Sequence, residues 1–273
     1  MQQAPALFDA LLHPEGLSDA DLETLQLFGV RAALVVARAV PEPTARSLRT
    51  HFDALAGRQL LRLRRAGLRA YAALGVHPRA LPRRGLEEVL SALPDYFKGG
   101  QVVALGELGL APAGADGGAR AGAPHPEGQE EALVAQLELA RRLKLPVVVG
   151  TPREEKARLT RRTLALLQEA ALPASRVLVT HANATTVRLV LACGYFAGLT
   201  LHPDLLSAER AVALVRRLGS ERLVLGSGAG LGAGDLLAVP RATHLLGKAR
   251  LSERLVSRVT TDNVATLLRV PAA

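Results

Sequence analysis

Histidines, carboxylates and arginines recur at one kind of place in this chain, immediately after a short apolar run. Asp9 and His13 close the first such run, His77 and Arg79 follow the third, and Glu107 follows the fourth. Thr151 and Arg153 follow the fifth, His181 the sixth and His202 the seventh. Imidazole and carboxylate groups bind divalent metals and move protons near neutral pH, and guanidinium grips anions through paired donors. A lone histidine at a strand end is ordinarily a structural residue bonded to nearby backbone. Four of them at equivalent places point to a shared pocket. Glu107 is the most telling residue: it interrupts the run Val102 to Leu110, which is otherwise fit only for burial. An uncompensated buried carboxylate is costly, so it requires a metal, a cation or a proton.

The elements that must position these groups alternate from end to end. Eight strands are predicted, at Leu7 to Leu12, Arg31 to Ala37, Leu68 to Leu74, Gln101 to Leu105, Pro146 to Val149, Arg176 to Thr180, Tyr195 to Leu201 and Arg222 to Leu225. Helical patterns lie between and after them, among them Pro43 to Arg65, Pro126 to Leu143, Glu154 to Ala171 and Glu253 to Leu268. Eight alternations in 273 residues fit one (β/α)8 TIM barrel spanning residues 1–273, since such barrels typically run to about 250 residues. In a barrel the ends of the strands converge on one face. A doubly wound open sheet is the alternative, because strand order is invisible in sequence. The segment 111–128, rich in Gly, Ala and Pro, reads either as a solvated loop or as a lid over that face.

Composition narrows the classes. Hydrophobic residues make up 49% of the chain, enough for a substantial core and against dominant disorder. The longest apolar stretch, Leu189 to Leu201, falls short of the roughly 20 residues that a membrane span needs. No secretory leader is visible, so a cytoplasmic protein is expected. The net charge of +9 invites a nucleic-acid partner. Against that, 30 of the 34 basic residues are Arg spread throughout the chain, and aromatic residues are only 3%, too few for base stacking. Cys193, the sole cysteine, lies in an apolar stretch with no electropositive setting and reads as structural.

Taken together, Leu74-Gly75-Val76-His77-Pro78, Ala104 to Gly109, the Gln129 to Leu145 helix leading into Pro146 to Val149, His181, and Thr260 to Asn263 with Ala265 resemble the TatD-like metal-dependent hydrolases. These are a branch of the amidohydrolase-type barrels. The pattern continues through Thr151-Pro152-Arg153 and Val239-Pro240 and covers almost the whole chain in order. The resemblance implies hydrolysis of phosphoesters or related bonds with two divalent metals. Those metals would be held by an opening His-x-His, a bridging Glu, histidines after strands five and six, and an Asp after strand eight.

Set on this chain, that pattern is incomplete. Leu11 stands where the first His belongs and His13 keeps the second; Glu107 takes the bridging position; Gly150 replaces the strand-five His; His181 is kept; Gly228 replaces the acid. The retained trio His13, Glu107 and His181 has the composition of a two-His-one-carboxylate site, implying one divalent metal (Zn or Mn), or none, with the same residues doing the acid and base chemistry. Glycine at 228 can neither bind metal nor direct water, and His202 is the nearby substitute base. The Gly226 to Gly234 stretch is either a phosphate cradle or a plain flexible loop. His77, Arg79, Thr151, Arg153, His202 and Gly228 are the expected contacts to an anionic substrate. Two functions stay open: a hydrolase with a partly lost metal site and weak activity on a phosphoester-like anion, and a catalytically silent barrel that binds an anionic small molecule or a protein.

Overall fold

The computed structural model describes residues 6–112 and 126–273. Most of the segment 111–128 therefore lies outside the described residues. Eight strands, β1 (Leu7–Leu12), β2 (Val30–Val36), β3 (Arg69–Ala73), β4 (Val102–Gly109), β5 (Val147–Gly150), β6 (Val177–Thr180), β7 (Phe196–Thr200) and β8 (Leu223–Gly226), pair in parallel in sequence order. Helices pack outside them: α1 (Asp19–Leu27), α2 (Ala45–Ala54), α3 (Leu60–Arg65), α4 (Leu86–Tyr96), α5 (Pro126–Leu143), α6 (Lys156–Glu169), α7 (Val187–Ala192), α8 (Ala208–Leu218), α9 (Ala238–Lys248), α10 (Glu253–Ser257) and α11 (Asn263–Leu268). This is the nearly closed (β/α)8 barrel expected, not the open sheet. Among the described residues no helix is long and apolar enough to cross a membrane.

Near-continuous apolar runs make these strands because both of their faces are covered. One face packs on the helices. The other fills the barrel with Phe8, Leu34, Ala104, Val148, Leu178 and Val224, and Leu267 and Leu268 of α11 join that cluster. The barrel is thus a packed core whose chemistry can lie only at its rim.

Closure between β8 and β1 uses few ladder bonds. The Ser227 amide donates to Asp9 Oδ1 at 2.8 Å, the Gly228 amide to the Leu11 carbonyl at 2.9 Å and the His13 amide to the Ala229 carbonyl at 2.9 Å. Gly226 is pressed so closely that a Cβ there would stand 2.8 Å from Leu11 Cβ.

Most element ends fall within two residues of expectation, with three informative differences. Pro43 to Arg65 and Glu253 to Leu268 each contain a wide π turn, at Leu55–Gln59 and Arg258–Asp262, which a helical period does not distinguish from an α-helix. The fourth strand runs on to Gly109 instead of stopping at Leu105, so Glu107 lies within it. There Leu105 pairs with Val147 and Leu108 with Val149, which sets Gly106 and Glu107 against Val148 alone. Such a bulge re-aims a side chain, and Gly106 permits it because a Cβ there would stand 2.7 Å from that of Val148.

Candidate active site at the barrel mouth

Glu107 is buried where β4 meets β5 and β6. Its Oε1 accepts from the Thr180 hydroxyl at 2.7 Å and lies 3.1 Å from His181 Nε2. Burial works to raise its pKa, but His181, His77 and the Thr180 hydroxyl outweigh burial and hold it at about 2. His181 ends β6 with a left-handed φ of 60°. Its amide donates to Thr200 Oγ1 at 3.3 Å, and its Nδ1 lies 3.0 Å from the same hydroxyl. Both of its ring nitrogens therefore have partners.

Lys156, in the first turn of α6, completes this network. Its Nζ donates to the Thr151 carbonyl at 3.1 Å, to Thr151 Oγ1 at 2.7 Å and to the His181 carbonyl at 2.6 Å. Burial lowers its pKa to about 8 while the Glu107 charge works to raise it, so it is mostly a cation at neutral pH. Thr151 is buried, and its hydroxyl donates to the Thr180 carbonyl at 2.9 Å.

His77 and His13 lie close enough to Glu107 to feel its charge. Burial drives the pKa of each down to about 4, with Glu107 opposing. His77 Nδ1 accepts from the Arg79 amide at 3.1 Å, so the neutral ring carries its proton on Nε2. The turn holding it is clamped from α5, where Gln136 Oε1 accepts from the Val76 amide at 2.7 Å. His13 is buried with Nδ1 unpartnered.

The other expected contacts lie toward the rim. His202 Nδ1 accepts from the Asp204 amide at 3.2 Å and its Nε2 lies 2.9 Å from the Leu231 carbonyl, which occupies both nitrogens with backbone. Arg79 is exposed, and Arg153 is exposed and paired with Asp204 at 3.1 Å. The Gly228 amide is committed to the Leu11 carbonyl, and the Ala229 amide to Ser227 Oγ at 2.9 Å, so neither is open to a phosphate.

The residues present do not fit a two-metal centre. Leu11 belongs to the apolar barrel interior. A Cβ on Gly150 would stand 2.7 Å from Glu107 Cδ, so the carboxyl occupies the space where a side chain at that position would begin. For a single ion, Glu107 Oε1 and His181 Nε2 are adjacent donors, already bonded to each other. Among the described residues no group of three His, Cys, Asp or Glu side chains is set to hold a metal, whereas catalytic zinc sites keep three protein ligands. The expected trio is arranged as a pair, Glu107 and His181, with His13 beside it.

Lys156, Gln136, Thr180 and Thr200 were not among the residues expected from the sequence. Only Lys156 had a usable signal: it is one of four lysines in an arginine-rich chain, placed just after the fifth strand's loop.

A parallel eightfold barrel with a carboxylate, imidazoles and an ammonium gathered at the C-terminal ends of its strands belongs to the TIM-barrel class, whose active sites are built at that face. Within that class, the sequence profile of the TatD-related DNases matches residues 17–231, and the chain belongs to that family. The matched stretch begins after His13. A metal-dependent hydrolase of Methanocaldococcus jannaschii is 29% identical over 239 residues, covering 86% of this chain and 88% of that protein. The TatD-like protein of Archaeoglobus fulgidus superposes with a TM-score of 0.77 at 29% identity, over 96% of this chain and 100% of the other. The phosphotriesterase homology protein of Escherichia coli, solved with phosphate in its active site, shares the fold at a TM-score of 0.71 and 16% identity, over 96% and 98% of the two chains.

Proposed function

We propose that this chain binds an anionic, phosphoester-like molecule at the barrel mouth and retains at most weak hydrolytic chemistry, its two-metal centre being partly lost. The observation that carries this reading is the position of Glu107, whose carboxyl fills the space a strand-five ligand would need and pairs with His181 instead. Kinship with a metal-dependent hydrolase brings a divalent metal with it as the expected cofactor. The donor set of this chain does not meet that expectation, so no step is routed through a metal here. Arg79 and Arg153, exposed on the loops after β3 and β5 that flank β4, supply the guanidinium groups that would orient an anion. The phosphodiester of a nucleic acid falls within the same chemical class.

Among the histidines described at the mouth, His13 and His77 are the ones left with an uncommitted ring nitrogen, and both titrate near 4, so they are neutral at pH 7. A base with so low a pKa drives proton transfer weakly. That observation favours the silent barrel as second reading, in which the mouth binds its anion without turnover.

Elemental analysis, phosphate binding by calorimetry, and hydrolysis of bis(p-nitrophenyl) phosphate with and without EDTA test the proposal. Substoichiometric Zn and Mn, measurable phosphate binding and slow, EDTA-insensitive turnover are expected. Binding without turnover selects the silent barrel. Near-stoichiometric Zn or Mn with EDTA-sensitive turnover overturns the lost-metal reading.

A further inference from the structure

We propose that Lys156 is the resident cation of the mouth: its ammonium sits in a cage of oxygens that ties the end of β5 to the end of β6, and it balances Glu107 where a bound metal would otherwise do so. This role rests on the reading of a partly lost metal centre.

Three oxygens from two loops surround Nζ at 2.6 to 3.1 Å, matching the three donors of an ammonium one for one. The cage is oriented for a cation. Thr151 spends its own proton on the Thr180 carbonyl, which leaves the lone pairs of Oγ1 facing Lys156. The His181 carbonyl reaches Nζ because that residue adopts a left-handed backbone, and Thr200 takes the His181 amide from the other side. With its peptide bracketed in this way, His181 is held with its ring against Glu107.

Two further observations say the ammonium is there for this purpose. A cation in the first turn of a helix opposes the helix dipole, so its placement at the start of α6 must be compensated by other contacts. The chain also carries 30 arginines and four lysines, yet the caged position is a lysine. A planar guanidinium cannot enter a compact three-oxygen cage, and an ammonium can.

Oxygen cages vacated by a cation take hard ions such as Ca2+ or Mn2+. Thermal unfolding of the full chain, with EDTA, Ca2+ or Mn2+, is the test. Wild-type Tm is expected not to move with any of the three. Lys156→Gln keeps an amide donor and removes the charge; its Tm is expected to fall by about 5 °C, and millimolar Ca2+ or Mn2+ to recover at least half of that loss. Leu159→Ala, a core loss on the same helix, is the control and gains no ion response. The proposal is overturned if Lys156→Gln is as stable as wild type, or if it is destabilised with no more ion response than Leu159→Ala. Should Lys156→Gln not fold, Lys156→Arg decides: its guanidinium cannot enter the cage, so a lower Tm that millimolar Ca2+ or Mn2+ partly recovers is expected, and a Tm equal to wild type, or a loss with no ion response, overturns the role. A wild-type chain purified with stoichiometric Zn or Mn defeats the underlying reading instead, which elemental analysis detects separately.

Discussion

The two halves of the barrel mouth have gone different ways. Where β4, β5 and β6 end, carboxylate, imidazole, hydroxyl and ammonium form one connected network around Glu107. Where β8 meets β1, equivalent positions serve closure of the barrel: Leu11 fills the interior, Gly226 packs against it, and the Gly228 amide bonds its carbonyl. One half is a connected polar network and the other closes the barrel. A Cβ at position 150 would stand 2.7 Å from Glu107 Cδ, whereas one at position 228 would meet only the Thr200 methyl at 3.2 Å, a tight contact that a small shift relieves.

The sharpest way to break this contrast is Gly150→Ala. The methyl collides with the Glu107 carboxyl, and relieving the collision pulls a buried charge from its partners. Overpacking and a broken buried ion pair each cost on the order of 3 kcal/mol, and a total loss of about 4 kcal/mol is expected because the two share one displacement. In the Gly150→Ala background Glu107→Ala should cost far less than it does in the wild type. Urea unfolding of the two single variants and the double variant measures the coupling. A Gly150→Ala chain as stable as wild type means Glu107 is not held where the network places it.

The closure half carries its own titration. Asp9 is fully buried, and burial lifts its pKa from 3.8 to about 6 against the hydrogen bonds from Ser227 and Leu11. Its charged form is thus disfavoured in the fold, so its contribution to stability falls as pH rises from about 4 to about 6, by about 3 kcal/mol in all. The mouth histidines act with the opposite sign. His13 and His77 drop from 6.5 to about 4 on folding, so the unfolded chain binds their protons first and stability falls as pH drops from 6.5 toward 4. Asp9→Asn isolates the closure term: its stability relative to wild type should grow by about 3 kcal/mol between pH 4 and pH 7.5. A gap that stays constant across that range removes the buried charge from the closure.

How far the sequence carried this picture follows from what each period encodes. Strands buried on both faces leave unbroken apolar runs, so all eight were legible, and the alternation gave the barrel. The Gly106-Glu107 bulge was not, because an interrupted run reads as a strand end, and Glu107 was placed after the strand that contains it. Glu107 and His181 were found together because an acidic residue in an apolar run and a histidine after a strand are conspicuous. Thr180, Thr200 and Gln136 were not found, because a threonine in a strand and a glutamine on a helix carry no local mark of the partner they meet 19 to 73 positions away. The substitution at Gly150 was read from the resemblance, but that Glu107 fills the gap is a fact of three dimensions.

A smaller effect separates His202 from the network around Glu107. With both nitrogens bonded to backbone of its own and the Gly-rich loop, His202→Ala is expected to cost about 1 to 2 kcal/mol, the worth of two buried hydrogen bonds. Phosphate affinity measured by calorimetry should stay at the wild-type value. A loss of affinity without loss of stability would return His202 to the substrate contacts.

Arg153 supplies the smallest effect on the fold and the clearest on the ligand. Its pair with Asp204 at 3.1 Å is more than half exposed on both sides, and such pairs contribute about 0 to 1 kcal/mol. Arg153→Ala should therefore leave the urea midpoint nearly unchanged. If the guanidinium orients an anion, the same variant weakens phosphate binding several-fold, because a charge-assisted bond to an anion is about twice as strong as a neutral one. Asp204→Asn acts in the other direction, releasing Arg153 from its carboxylate and tightening phosphate. Unchanged affinity in both variants would make the pair a surface contact and shift the search for the anion's partner to Arg79, on the other side of Glu107.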